Sequence, residues 1–148
     1  MIHCNTKKQS GYTLIELVVT VSIISVLAAV VLPTYLKSQA EAKGKVSQAN
    51  MLNIKQAFVN HFYSSVIERN KGAYPPEPAD NKMTHDWANN TILYNGRTPA
   101  QLFSEGHIIY NPYNHPYLYE LIGSSNPEEA EGFRITDPDI GIVMEFMP

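Results

Sequence analysis

The chain has 148 residues, a formal net charge of −3 and 44% hydrophobic residues, with five histidines and a single cysteine, Cys4. Mild acidity without a basic run excludes nucleic-acid binding as a bulk electrostatic property, and one cysteine excludes an internal disulfide. About 115 residues follow the apolar run near the N-terminus, enough for one small domain and not two.

That apolar run organises the rest. Lys7-Lys8-Gln9-Ser10-Gly11-Tyr12-Thr13 leads into residues Leu14 to Leu32, whose one charge is Glu16 and whose polar groups are the hydroxyls of Thr20, Ser22 and Ser25; Pro33 follows. As a helix the run is about 28 Å long, close to the hydrocarbon thickness of a bilayer. The two lysines before it hold that flank in the cytoplasm. A lone carboxylate inside such a span costs on the order of 2.5 kcal/mol or more, so it requires a partner. The segment contains no Lys, Arg or His to supply one. Cutting after Gly11 creates an amine on Tyr12, four residues from Glu16. A secretory signal would place its small-residue cleavage site after the apolar region, not before it.

Gly11-Tyr12-Thr13-Leu14-Ile15-Glu16, the short basic leader, the apolar helix and Pro33 resemble the N-terminus of type IV pilins and type II secretion pseudopilins. The resemblance implies that a prepilin peptidase cuts after Gly11 and that the new N-terminus on Tyr12 is methylated. It also implies that Glu16 stands at the family's assembly glutamate and Pro33 at its helix proline. Three segments follow: a cytoplasmic leader at 1–11, a transmembrane and filament-core helix at 12–33, and a periplasmic or extracellular domain at 34–148.

Beyond Pro33, where a bend is expected, Thr34 to about Ile67 reads as a continuing helix. Its apolar residues recur at spacings of three and four from Met51 onward. The small and polar stretch from Lys37 to Gln48 is expected to be exposed, and Gly44 weakens it. The helix should end near Arg69-Asn70-Lys71-Gly72. Ala73 to Pro78 reads as an extended connector. Trp87, Ile92 and Leu93 are expected anchors of the mixed stretch from Asn81 to Asn95. Thr98 to Phe103 reads as a capped helical turn begun by Pro99. Strands are expected at Ile108–Tyr110, Tyr117–Ile122, Phe133–Thr136 and Ile140–Phe146, and their short connections imply antiparallel pairing. The expected fold is α+β and pilin-like, a long N-terminal helix packed on a small antiparallel sheet. More loosely, Gly72-Ala73-Tyr74-Pro75 and Asn111-Pro112-Tyr113-Asn114-His115-Pro116-Tyr117 resemble segments of major pseudopilins. There the second segment more often reads Asp-Pro-Trp-Gly-Asn-Pro-Tyr.

No catalytic signature accompanies the domain. The histidines His3, His61, His85, His107 and His115 form no close ligand pair, and neither a nucleophile elbow nor a phosphate-cradling glycine loop occurs. His115 reads as a turn residue, and Tyr110, Tyr113, Tyr117 and Tyr119 read as packing residues of the sheet. Late-loop acids include Asp137 and Asp139. Oxygen-rich loops can hold Ca²⁺, and the resemblance to major pseudopilins implies a calcium site there as the alternative; the spacing matches no closed ligand pattern, solvated loop acids are the commoner case, and no cofactor is expected.

The implied function is a structural, non-enzymatic subunit of a type IV pilus-like filament or a type II secretion pseudopilus. Its implied partners are the prepilin peptidase, copies of itself and other pilins in a helical filament, and an inner-membrane assembly platform. It would sit first as a single-pass protein of the bacterial inner membrane and then in a periplasmic or extracellular filament. The competing readings are a minor tip or priming pilin that binds a ligand or DNA, and an exported enzyme anchored by this helix.

Overall fold

A computed structural model describes residues 11–148; the expectations for Lys7, Lys8, Cys4 and the rest of the leader before Gly11 lie outside the described residues. The chain divides into two compact units, the first ending at Glu41 and the second spanning Ala42–Pro148. Helix α1, Leu14–Arg69, runs for 56 residues with Pro33 inside it.

Within the second unit α1 buries Ser47, Met51, Ile54, Phe58, His61 and Ser65. These positions alternate by four and three, which places them on one helical face. Ser47 departs from the expectation of exposure between Lys37 and Gln48: it is fully buried, because its hydroxyl is hydrogen-bonded to other buried groups described below. The helix ends at Arg69, where Asn70 takes a left-handed conformation with φ 55°. Asn70, not Gly72, thus turns the chain, and its N–H bonds Val66 O at 2.8 Å.

The three-stranded antiparallel sheet has the order β1-β2-β3, with β1 at Leu118–Ile122, β2 at Gly132–Thr136 and β3 at Val143–Phe146. Tyr119 pairs with Ile135 and Phe133 with Phe146. Alternation sends Tyr119, Phe133 and Ile135 into the core. On the other face Arg134 stands between Glu120 and Glu145 in register, with ion pairs of 3.5 and 2.7 Å. A side chain on Gly132 is sterically barred, since a Cβ there would lie 2.1 Å from Phe146 O.

Phe58 joins helix to sheet. It is fully buried and meets Tyr119, Phe133, Phe103 and Trp87 with ring centroids 5.1, 5.7, 6.4 and 6.5 Å away. The Pro-rich connector is held by a buried and a half-buried aromatic: Tyr119 Oη donates to Pro75 O at 2.8 Å and Trp87 Nε1 to Pro76 O at 3.1 Å. A short helix α2, His85–Asn90, is capped by Thr84, whose hydroxyl accepts from Trp87 N. The expected turn after Thr98 is a 3₁₀ turn at Pro99–Leu102.

Three local expectations fail. Ile108–Tyr110 is not a strand: Tyr110 O is taken by the Asn50 side chain at 3.1 Å instead of by a neighbouring strand. The last strand starts at Val143, not Ile140, because Asp137 N bonds Ile142 O and Gly141 N bonds Asp137 O, closing a loop over those residues. Leu93 is buried as expected, whereas Ile92 is exposed.

His61 is 3% exposed and stacks on Tyr94 with centroids 4.9 Å apart. Burial, aided by the Arg69 charge, lowers its pKa to about 4. The unfolded chain binds the proton near the ordinary value of about 6.5, so between pH ~6.5 and ~4 the unfolded state carries more protons and stability falls as pH falls. Thermal unfolding should show Tm decreasing across that window, with a smaller decrease in His61→Phe.

Candidate functional site

The N-terminal candidate residues lie together where α1 begins. Gly11, Tyr12 and Thr13 precede the helix and are exposed. Among the described residues, a Cβ on Gly11 would meet nothing within 4 Å. Packing among the described residues therefore gives no reason for glycine at this position.

Glu16 has a local partner that charge pairing alone does not reveal. Thr13 N and Thr13 Oγ1 both donate to Glu16 Oε2, at 3.0 and 2.9 Å, while Glu16 N donates to Thr13 Oγ1 at 3.3 Å. This is a capping box, in which residue and cap satisfy each other's backbone donors. The pattern Thr-x-x-Glu announces it, although charge complementarity gives no sign of Thr13. Both bonds from Thr13 end on Oε2, and among the described residues no ion pair involves Glu16. Among the described residues no hydrogen bond reaches the second oxygen, Oε1.

The hydroxyls farther along are folded back. Thr20 donates to Leu17 O at 2.9 Å, and Ser22 and Ser25 donate to Val18 O and Val21 O at 2.7 Å each. Bonded this way they present little polarity to an apolar surrounding. Pro33 lies farther along α1, apart from the residues at its start. Its ring leaves one carbonyl of the preceding turn without a backbone donor, and Thr34 Oγ1 donates to the neighbouring Val30 O at 3.4 Å. α1 is long and apolar enough to cross a membrane, and none of the apolar window is buried within the protein. Exposed apolar surface on this scale marks a contact with lipid or protein.

The other two candidates, Asp137 and Asp139, are also together, in the loop between β2 and β3. Asp137 is fully buried. Its Oδ2 accepts from Ser47 Oγ, and its Oδ1 from Asn111 Nδ2 at 3.0 Å, Asp139 N at 3.0 Å and Ile140 N at 3.3 Å. Asp139 Oδ2 accepts from Asn111 Nδ2 at 2.5 Å, and His115 Nδ1 lies 2.9 Å from the same oxygen. The Asn111 amide, and then His115, hold the Asp139 carboxyl below its usual range. Tyr117 Oη lies 3.1 Å from Ser47 Oγ. Ser47 and Asn111 were not legible as site residues, because they stand 90 and 26 positions from Asp137.

A family model described as the prokaryotic N-terminal methylation motif matches residues 6–32, the stretch that holds Gly11, the Thr13–Glu16 cap and most of the apolar helix. The chain is homologous to pseudopilins and type IV pilins. It is 27% identical to the type II secretion system core protein G of Pseudomonas aeruginosa over 91% of its own length and 95% of that protein. It is 28% identical to the Escherichia coli protein of the same name over 91% of each. A type IV major pilin protein of Neisseria gonorrhoeae is 31% identical over 66% of this chain and 46% of that protein. No solved structure matches. For this pilin homologue the loop acids and the N-terminal residues thus form two separate clusters, one in each compact unit.

Proposed function

We propose that this protein is a structural, non-enzymatic subunit of a type II secretion pseudopilus or a related type IV pilus-like filament. The observation that carries the reading is the exposed apolar helix whose capped start, with its acceptor oxygen left over, directly follows an unconstrained glycine inside a methylation motif. End-to-end similarity to two type II secretion core proteins, against partial coverage of the type IV pilin, favours the pseudopilus.

In this reading the precursor sits in the bacterial inner membrane, with residues 1–11 inside and 34–148 outside. A prepilin peptidase requires Gly11 for access to the scissile bond and releases the Tyr12 amine, which is methylated. At an inner-membrane platform the 12–33 helix leaves lipid for the helices of other subunits. Glu16 Oε2 goes on capping its own helix while Oε1 accepts from the Tyr12 amine of a neighbour. Such a pair is favourable in a low-dielectric core only at the correct register, so Glu16 selects the axial position. A helix without the normal proline hydrogen bond can open between Pro33 and Gly44 as it adjusts to the filament.

Processing is tested with Gly11→Val co-expressed with a prepilin peptidase. The expected result is an unshifted precursor band and no methylated Tyr12 by mass spectrometry. Normal cleavage of that variant would remove the basis for Gly11 as the cut site.

A further inference from the structure

The family resemblance raises a calcium site in the late loop, and the donors around Asp137 and Asp139 do not fit a cation. Asn111 decides the matter. Its Oδ1 accepts from Tyr113 N at 3.0 Å and His115 N at 2.9 Å. Two backbone N–H groups on one amide oxygen fix which end is Nδ2, and that end donates to both Asp137 and Asp139. All four of the amide's hydrogen-bonding positions are thereby used.

Asp137 is also heavily engaged. Four donors reach its two oxygens, three on Oδ1 and one on Oδ2. Asp139 accepts from Asn111 and, as a carboxylate that can only accept, requires the proton of His115 to be on Nδ1. A calcium ion needs six to eight oxygens converging on it, whereas here N–H and O–H donors take up lone pairs through which the carboxylates would bind the ion. Among the described residues no group of three or more His, Cys, Asp and Glu side chains has an arrangement able to hold a metal.

We infer that Asn111 and His115 replace a metal ion, so that this loop is held closed by its own hydrogen bonds and calcium contributes nothing to its stability. The latch joins three parts of the second unit. The Asn111–His115 turn, closed by Asn111 N to His115 O at 3.0 Å, binds the β2–β3 loop through Asp137 and Asp139. Asp137 in turn binds α1 through Ser47, whose oxygen accepts from Tyr117 Oη. One carboxylate thus ties the helix, the turn before β1 and the loop after β2, the work a metal does elsewhere by collecting oxygens from distant segments.

The substitution that separates a hydrogen-bond latch from a metal site is Asn111→Asp. It puts a third carboxylate beside the other two, removes both donated hydrogen bonds and creates a cluster of oxygens for which a divalent cation is the natural partner. The test is thermal unfolding of the full chain in detergent with excess EDTA and with millimolar CaCl₂. Wild type should show the same Tm in both. Asn111→Ala should lower Tm by about 5 °C in both, on the usual scale for a domain of this size. Asn111→Asp should be lowered at least as much in EDTA and recover with calcium, since a ligand that binds the folded state alone raises its stability. A wild-type Tm that rises with calcium by several degrees overturns the inference, and so does an Asn111→Ala protein as stable as wild type. Should Asn111→Asp fail to fold in EDTA, calcium titration by calorimetry on wild type gives the same decision: heat of binding at micromolar to millimolar affinity refutes the latch, and none supports it. These readouts concern folding alone, so they stand apart from any outcome on filament assembly.

Discussion

Glu16→Gln should abolish filament assembly while leaving cleavage after Gly11 intact. Glutamine keeps an acceptor oxygen for Thr13 N and Thr13 Oγ1, so the capping box that starts α1 persists. What disappears is the charge that would meet the amine of a neighbouring Tyr12. Leaving that ammonium group unpaired in a desolvated core costs about 3–5 kcal/mol per contact, a factor of roughly one hundred to several thousand in association. A polymer repeats that loss at every subunit. Thr13→Val provides the opposite separation. It removes the capping hydroxyl, with a helix-start loss of about 1 kcal/mol, but keeps the Glu16 charge, so filaments should form in reduced amount. Shearing and electron microscopy of cells expressing each variant, with immunoblots for mature protein, read both effects. Abundant normal filaments from Glu16→Gln would show that the carboxylate serves its own helix and nothing more.

The second large effect belongs to the domain. Phe58→Ala should lower stability by about 3–5 kcal/mol, the usual range for emptying a buried phenylalanine site. The position is fully buried and rimmed by Trp87, Phe103, Tyr119 and Phe133. Three of these four are on separate elements that cannot all move inward to fill the space. Small domains are stable by only about 5–15 kcal/mol, so the variant should be partly unfolded at growth temperature and degraded. Leu52→Ala, on the exposed side of the same helix, should change stability by no more than about 0.5 kcal/mol. Urea titration of the two full-length variants in detergent, followed by near-ultraviolet circular dichroism, makes the comparison. Equal midpoints would mean that α1 is not held to the sheet through Phe58.

Much of the fold was written in local patterns. The apolar run, the alternating strands at β1 and β2, Pro99 after Thr98 and the basic end of α1 all rest on rules that operate within a few residues, and the structure has them at or near the expected positions. The misreadings occurred where another group competed for the backbone. Ile108–Tyr110 has the composition of a strand, but a strand needs a partner, and Asn50 of α1 takes its carbonyl instead. Ile140 and Ile142 are β-branched, yet Asp137 draws the stretch that holds them into a closed loop.

The candidate site divides in the same way. Gly11, Tyr12, Glu16 and Pro33 stand at fixed spacings along one helix start and one apolar run, and even the Thr13 cap, unnoticed among the charges, is a contact between residues three apart. Such features depend only on helical periodicity, so the sequence by itself determined them. Asp137 is different. Whether a buried acid is a metal ligand or a hydrogen-bond hub depends on which donors reach it, and those come from Ser47 on α1 and Asn111 in the turn before β1. Only the tertiary structure brings them together, because hydrogen bonds are decided at about 3 Å in space, whatever the separation along the chain.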